Sequence, residues 1–201
     1  MASPIDFYFD FSSPYGYFAA ERIDALAAKY DRIVNWHPVL LGAVFKKTGA
    51  TPLPMVPLKG DYARRDFART ARFHGIAFKE PTPFPISTQV AARAMRWIAA
   101  TQGDAKAVAF AKAVYRAYFV DGLNIGEQSV VAQVASAMGI DGGALVEAIN
   151  GDAIKEQLKA EVDQAMARGV FGSPYIVVDG EPFWGFDRFD QIEAFLKNGT
   201  I

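Results

Sequence analysis

The sequence predicts an α/β fold in which a βαβ opening and an αββα close flank a wholly helical middle, and three observations carry that prediction. The apolar run Ile5-Asp6-Phe7-Tyr8-Phe9-Asp10-Phe11 reads as a strand that passes through Ser12-Ser13-Pro14 into an alanine-rich helical segment. From Asp61 to about Asn150 only helical periodicity is found. Near the C-terminus, Tyr175-Ile176-Val177-Val178 and Pro182-Phe183-Trp184 are joined by Asp179-Gly180. Asp-Gly between apolar runs signals a two-residue hairpin, because both turn positions need positive φ.

The elements follow in order. After the first strand, Ile23, Leu26, Ala27 and Tyr30 recur at helical spacing, and Arg32 to Leu41 reads as a buried strand. Gly42 to Pro57 carries Gly49, Pro52, Pro54 and Pro57, which predicts a surface loop and a domain boundary. Helices are expected over Asp61–Phe73, Ser87–Thr101, Asp104–Phe119, Glu127–Met138 and Asp141–Asn150. In the second, Val90, Ala94, Trp97 and Ile98 share a face; in the third, Val108, Ala111, Val114, Tyr115 and Tyr118 do. A helix over Asp152–Arg168 precedes the hairpin, and one over Arg188–Lys197 ends the chain. The expected organisation is a first α/β half at residues 1–48, a helical insertion at 49–150 and a second α/β half at 151–201.

With 201 residues and 51% hydrophobic content, the chain is long enough to bury one substantial core. It has no cysteine, which removes disulfides, thiolate metal sites and cysteine nucleophiles together. The two histidines, His37 and His74, are isolated, so no metal is expected, and His37, beside Trp36 in a core strand, reads as structural. A net charge of −1 with interspersed signs gives no field for gathering nucleic acid. The N-terminus enters a strand by Ile5 with no basic-then-apolar segment, so neither a signal peptide nor a membrane span is expected, and the cytoplasm is the default location.

Two segments can carry chemistry. Pro14 suits the first turn of a helix, which places Ser13 where unpaired backbone amides and the helix dipole favour negative charge. Its hydroxyl can be a simple N-cap or can add a hydrogen bond to an anion, and spacing does not separate the two. Redox proteins place Cys-x-x-Cys at such a turn, whereas this chain has Ser13-Pro14-Tyr15-Gly16. Any sulfur chemistry here therefore needs a thiol brought by a small molecule. The second segment is Gly169-Val170-Phe171-Gly172-Ser173-Pro174-Tyr175, just before the hairpin. A cis bond at Ser173-Pro174 would expose the Ser173 backbone to pair with an extended peptide, while a trans proline would merely begin an edge strand.

Together these segments resemble the 2-hydroxychromene-2-carboxylate isomerase and kappa-class glutathione transferase family, a thioredoxin-like group related to bacterial disulfide oxidoreductases. Phe7-Tyr8-Phe9-Asp10-Phe11-Ser12-Ser13-Pro14-Tyr15 is similar to the family's first strand and catalytic serine turn, and Lys59-Gly60-Asp61-Tyr62 to the segment opening its helical insertion. Gly169 to Pro174 resembles its cis-proline loop, and Phe183-Trp184-Gly185-Phe186-Asp187-Arg188 its glycine-x-Asp-Arg signature.

The resemblance implies a thioredoxin-like fold and glutathione as cofactor. Ser13 would be the catalytic residue, hydrogen-bonded to sulfur. Lys59 would pair with the glycyl carboxylate, the Ser173 backbone at cis-Pro174 with the cysteinyl unit, and Asp187 with the γ-glutamyl amine. It further implies a homodimer that isomerises 2-hydroxychromene-2-carboxylate or a similar aromatic keto acid or hemiketal. The alternatives are a kappa-type transferase or peroxidase and a non-catalytic binding module.

Other roles stay open on the residues alone. Lys59 can be a solvated side chain, and Asp187 can instead cap the last helix. Tyr8, Phe11, Phe84 and Trp184 are candidates for an aromatic substrate wall, although such residues are more often ordinary core. Arg65, Arg69 and Arg72 share a helix face and can bind a carboxylate or form a solvated, paired face with Asp61. Two positions depart from the family pattern: Gly16 stands where kappa transferases have a small hydroxyl residue, and Phe186 where some have serine.

Overall fold

Alternation along the first strand decides what the core receives. In the computed structural model, which describes residues 3–201, β1 (Ile5–Phe9) turns Ile5, Phe7 and Phe9 into the main apolar cluster and Tyr8 to the opposite face. The chain continues through α1 (Pro14–Ala20) and α2 (Ile23–Ala28) into β2 (Val34–Pro38), which lies parallel to β1 with Trp36 opposite Phe7. Next come α3 (Leu41–Thr48), a turn of 3-10 helix at Leu53–Met55, and α4 (Lys59–His74). The helical middle goes on with α5 (Gln89–Gln102), α6 (Asp104–Phe119), α7 (Gln128–Ala137) and α8 (Gly142–Asn150), and α9 (Asp152–Ala167) leads back to the sheet. There β3 (Tyr175–Val178) runs antiparallel to β1 and β4 (Glu181–Trp184) antiparallel to β3, before α10 (Phe189–Asn198). The sheet order is β2-β1-β3-β4, the thioredoxin-like arrangement. At the hairpin turn Asp179 and Gly180 both take positive φ, 50° and 90°, as the dipeptide requires.

Several boundaries differ from the sequence expectation by a few residues, the second strand covering Val34–Pro38 rather than Arg32 to Leu41, and three differences have a local reason. The first strand stops at Phe9, because the next residue, Asp10, turns its carboxylate onto the amides of Ser12 and Leu41. The helix after it breaks at Glu21-Arg22 into α1 and α2. Residues 42–57, expected as loop, begin with helix α3 instead. The Asp10 carboxylate receives the Leu41 amide at that helix's start, and Gly49 closes it in the left-handed region at φ 73°, its amide on the Phe45 carbonyl at 2.8 Å. Gly49 is the stop signal of a helix rather than part of an irregular loop.

The helical middle is joined to the sheet through aromatic side chains of α6. Tyr115 packs on Phe11 and Phe9 with ring centroids 5.2 and 5.7 Å away, and Phe119 stacks on Tyr17 at 5.3 Å. Phe9, Phe11, Tyr115 and Phe119 are each no more than 1% exposed, and a phenyl group so buried contributes about 1.5–3 kcal/mol. One apolar cluster thus runs from the sheet into α5 and α6 and fixes where the β1–α1 turn sits. Among the described residues no helix is long and apolar enough to cross a membrane.

Candidate active site

Ser13 is the N-cap of α1, with extended backbone at φ −94° and ψ 114° and Pro14 following in the first turn. The Gly16 amide donates to Ser13 Oγ at 3.0 Å, and Ser13 Oγ donates its own proton to the backbone carbonyl of Ser173 at 2.9 Å. Ser13 is therefore a cap that also reaches across to the loop before β3. That loop holds Ser173-Pro174 as a cis peptide, and the Ser173 hydroxyl accepts the Asp10 amide at 3.0 Å. Ser13, Ser173 and Pro174, far apart in the chain, are thus brought into one contact.

Asp10 organises this contact, a role that its place in an aromatic strand does not reveal. Its carboxylate is 4% exposed. One oxygen accepts the Ser12 amide at 2.7 Å and the Thr88 hydroxyl at 3.1 Å; the other accepts the Leu41 amide at 2.7 Å. Its backbone carbonyl takes the Ser13 amide at 2.9 Å and the Tyr115 hydroxyl at 3.0 Å. Burial pushes the Asp10 carboxyl above the usual range, against the lowering effect of the Leu41, Ser12 and Thr88 hydrogen bonds. The one sequence signal was a lone acid between Phe9 and Phe11, since a charge in an apolar run must find partners.

Gly16, where the family pattern has a hydroxyl residue, is explained by close approach. A Cβ there would lie 2.6 Å from Ser173 Oγ and 2.9 Å from the Tyr115 hydroxyl. Gly16→Ala is expected to cost about 1–3 kcal/mol by overpacking, although alanine favours helix by ~1 kcal/mol. Denaturant unfolding of Gly16→Ala, Ser173→Ala and the pair checks this. The double variant should lose less than the sum, because removing Ser173 Oγ takes away the nearest of the atoms the methyl meets.

The remaining expected residues fall into two groups. Asp187 sits in a single turn of 3-10 helix at Phe186–Arg188, 70% exposed and paired with Arg188 at 2.7 Å. It does not cap α10, which has no side-chain cap. It lies close enough to α1 that, after burial and the hydrogen bond to Asp66, its charge helps hold the Tyr15 phenol well above the usual range. Lys59 is the exposed first residue of α4. That helix is tied to α1 where Tyr15 donates to Asp66, seven residues further on or about 10 Å along the axis. Phe84 is half-buried beside Phe67, on a loop whose Ile86 amide donates to Ser12 Oγ at 3.1 Å. Trp184 is 56% exposed, stands edge-on to Phe171 at 4.9 Å and covers Gly172, whose missing Cβ makes room for the indole. Phe84 is thus linked to the serine turn only through Ile86 and Ser12, and Trp184 to Ser173 through the neighbouring Gly172.

Phe11 and Tyr8 are placed elsewhere. Phe11 is sealed behind Tyr115 and Phe9 and can wall no site, because its ring is needed to seat α6. Tyr8 points to the other sheet face, stacked on His37 at 4.7 Å with its hydroxyl on Arg168 at 3.2 Å. His37 is itself bonded to Asp6 at 2.9 Å, in keeping with a structural role. Arg69 is engaged with Asp66 and the Tyr62 ring, while Arg65 and Arg72 are exposed.

Residues 4–197 match the DSBA-like thioredoxin domain family. A 2-hydroxychromene-2-carboxylate isomerase of Sphingobium xenophagum is 30% identical over 202 residues, covering 98% of this chain and 99% of that one. The chain belongs to this family, in the branch of 2-hydroxychromene-2-carboxylate isomerases and kappa-class glutathione transferases. A glutathione S-transferase kappa 2 of Caenorhabditis elegans is 26% identical over 204 residues, covering 96% of this chain and 91% of the relative. A solved structure of 2-hydroxychromene-2-carboxylate isomerase superposes with a TM-score of 0.86 at 27% identity, over 96% of this chain and 94% of that one.

Proposed function

We propose that this protein is a glutathione-dependent cis–trans isomerase acting on 2-hydroxychromene-2-carboxylate or a similar intermediate of aromatic degradation, working as a homodimer in the cytoplasm. The observation that carries the proposal is Ser13 Oγ at the head of α1, 2.9 Å from the backbone of Ser173 at the cis-proline, in a chain with no thiol of its own. The family membership and the names of the relatives support it.

The donor set fits a tripeptide thiol. The positive end of α1, where Tyr15 carries the one first-turn amide not bonded to Ser13, and the Ser13 hydroxyl favour a sulfur anion. Ser173 offers backbone groups of the kind that pair with an extended cysteinyl unit. Asp187 supplies a negative charge beside α1 for an ammonium, and Lys59 a positive one for a carboxylate. Bound glutathione supplies a sulfur nucleophile able to add to an electron-poor carbon and leave again. The chain's own task is to keep that thiol ionised. At a pKa of about 8.5 a thiol is only a few per cent thiolate at neutral pH, and lowering it by ~2 units makes most of it thiolate. Two units equal about 2.7 kcal/mol, within what one charge-assisted hydrogen bond (about 1.5–3 kcal/mol) and a helix terminus (about 0.3–1 kcal/mol) supply. Phe84 and Trp184 offer apolar surface for an aromatic substrate beside the turn.

Incubating the protein with 2-hydroxychromene-2-carboxylate tests the proposal. Isomerisation should require glutathione and leave total free thiol unchanged. Stoichiometric loss of thiol would instead mark a transferase. Glutathione at 100 times its dissociation constant should stabilise the fold by about 2.7 kcal/mol, read as a raised melting temperature. No stabilisation and no turnover would overturn the proposal and favour a binding module for other ligands.

A further inference from the structure

Ser13 has one hydroxyl proton, and that proton is in use. Oγ donates to the Ser173 carbonyl at 2.9 Å while accepting the Gly16 amide at 3.0 Å. Ser13 is 6% and Ser173 9% exposed, so water is poorly placed to replace either partner. In this arrangement the hydroxyl has nothing to offer an anion at the head of α1. Turning it there would strip the carbonyl of its donor. A charge-assisted bond to a thiolate outweighs the neutral bond it replaces, but by about as much as a bare buried carbonyl costs. The carbonyl cannot readily follow the hydroxyl either. The Ser173 side chain is held by the Asp10 amide at 3.0 Å, and Gly16 lets α1 press directly against it.

Resting on the glutathione reading above, we propose that the Ser173 carbonyl is a lock on Ser13 which a ligand's own amide releases. A cysteinyl N–H that takes over the carbonyl frees the Ser13 proton to turn to the sulfur, and the thiol proton departs to solvent. No proton leaves Ser13, which changes only its acceptor. The site therefore activates thiols carried in a peptide and leaves thiols without an adjacent amide N–H in their ordinary protonated state. Ser173 sets cofactor class through its backbone, and Ser13 acts only once that class is bound.

A crystal structure with glutathione, joined to ultraviolet titration of the bound thiol, tests this. The comparison ligand is the glutathione ester in which oxygen replaces the cysteinyl N–H. In the complex the cysteinyl nitrogen should lie within hydrogen-bond reach of the Ser173 carbonyl, with Ser13 Oγ withdrawn from it. The acid dissociation constant of bound glutathione should exceed that of the bound ester about ten- to a hundredfold, the share of the hydroxyl's hydrogen bond. A complex in which Ser13 keeps the carbonyl, or an ester ionising as readily as glutathione, overturns the lock and leaves the cofactor proposal standing. Glutathione that does not bind at the turn overturns both. The ester lacks a hydrogen bond and binds more weakly, so where it cannot be saturated the crystal geometry decides.

Discussion

Ser13→Ala and Ser13→Gly are both expected to lower glutathione-dependent turnover at neutral pH about five- to twentyfold, the loss of thiolate when the bound thiol's pKa rises by ~1–2 units. The two differ in what else they remove. Both strip the buried Ser173 carbonyl of its donor, at about 1–3 kcal/mol; alanine, a poor N-cap, should cost ~1 kcal/mol beyond that, whereas glycine caps nearly as well as serine and should add only about a few tenths. Turnover set beside melting temperature for the pair therefore separates the hydroxyl's chemical part from its structural part. Equal losses of activity with unequal losses of stability are the expected pattern. Activity that tracks stability through the two variants would assign Ser13 to the helix end alone.

Asp10→Asn should be the most damaging isosteric change in the molecule, at about 3 kcal/mol, measured by denaturant unfolding. Asparagine keeps one carboxyl-type oxygen and replaces the other with an NH₂ group. The wild-type carboxylate meets donors on both sides: Ser12 and Thr88 on one oxygen, Leu41 on the other. One side of the amide must then confront an N–H, leaving buried donors unmet at about 1–3 kcal/mol each. The pH dependence has a defined sign. Because burial raises the folded carboxyl above its ordinary 3.8, the folded state holds the proton more tightly than the unfolded chain. The stability this residue contributes is complete below 3.8 and declines as pH rises through the folded value. The gap between wild type and Asp10→Asn should narrow over that interval, and widening would contradict the assignment.

What the sequence made legible was whatever depends on neighbours in the chain. The amphipathic spacing of Val90, Ala94, Trp97 and Ile98 gave α5, Asp179-Gly180 gave the hairpin, and Pro14 gave the start of α1. Asp10 was illegible because its partners lie elsewhere: Leu41 is 31 residues away, Thr88 78 and Ser173 163. Helix α3 was hidden for the same reason, since its start leans on that carboxylate and Gly49 reads equally as loop or helix end. Tyr8 and Phe11 show the limit of reading aromatic residues in a strand. Alternation puts neighbours on opposite faces, but which face meets α6 and which meets Arg168 is a tertiary fact.

The role proposed for the Ser13 hydroxyl is to keep a borrowed thiol ionised. Ultraviolet titration of glutathione bound to wild type and to Ser13→Gly reads that ionisation itself. The thiol midpoint should lie about one to two pH units lower in the wild type than in the variant, the share carried by the hydrogen bond alone. Coincident midpoints, with both proteins saturated, would contradict it.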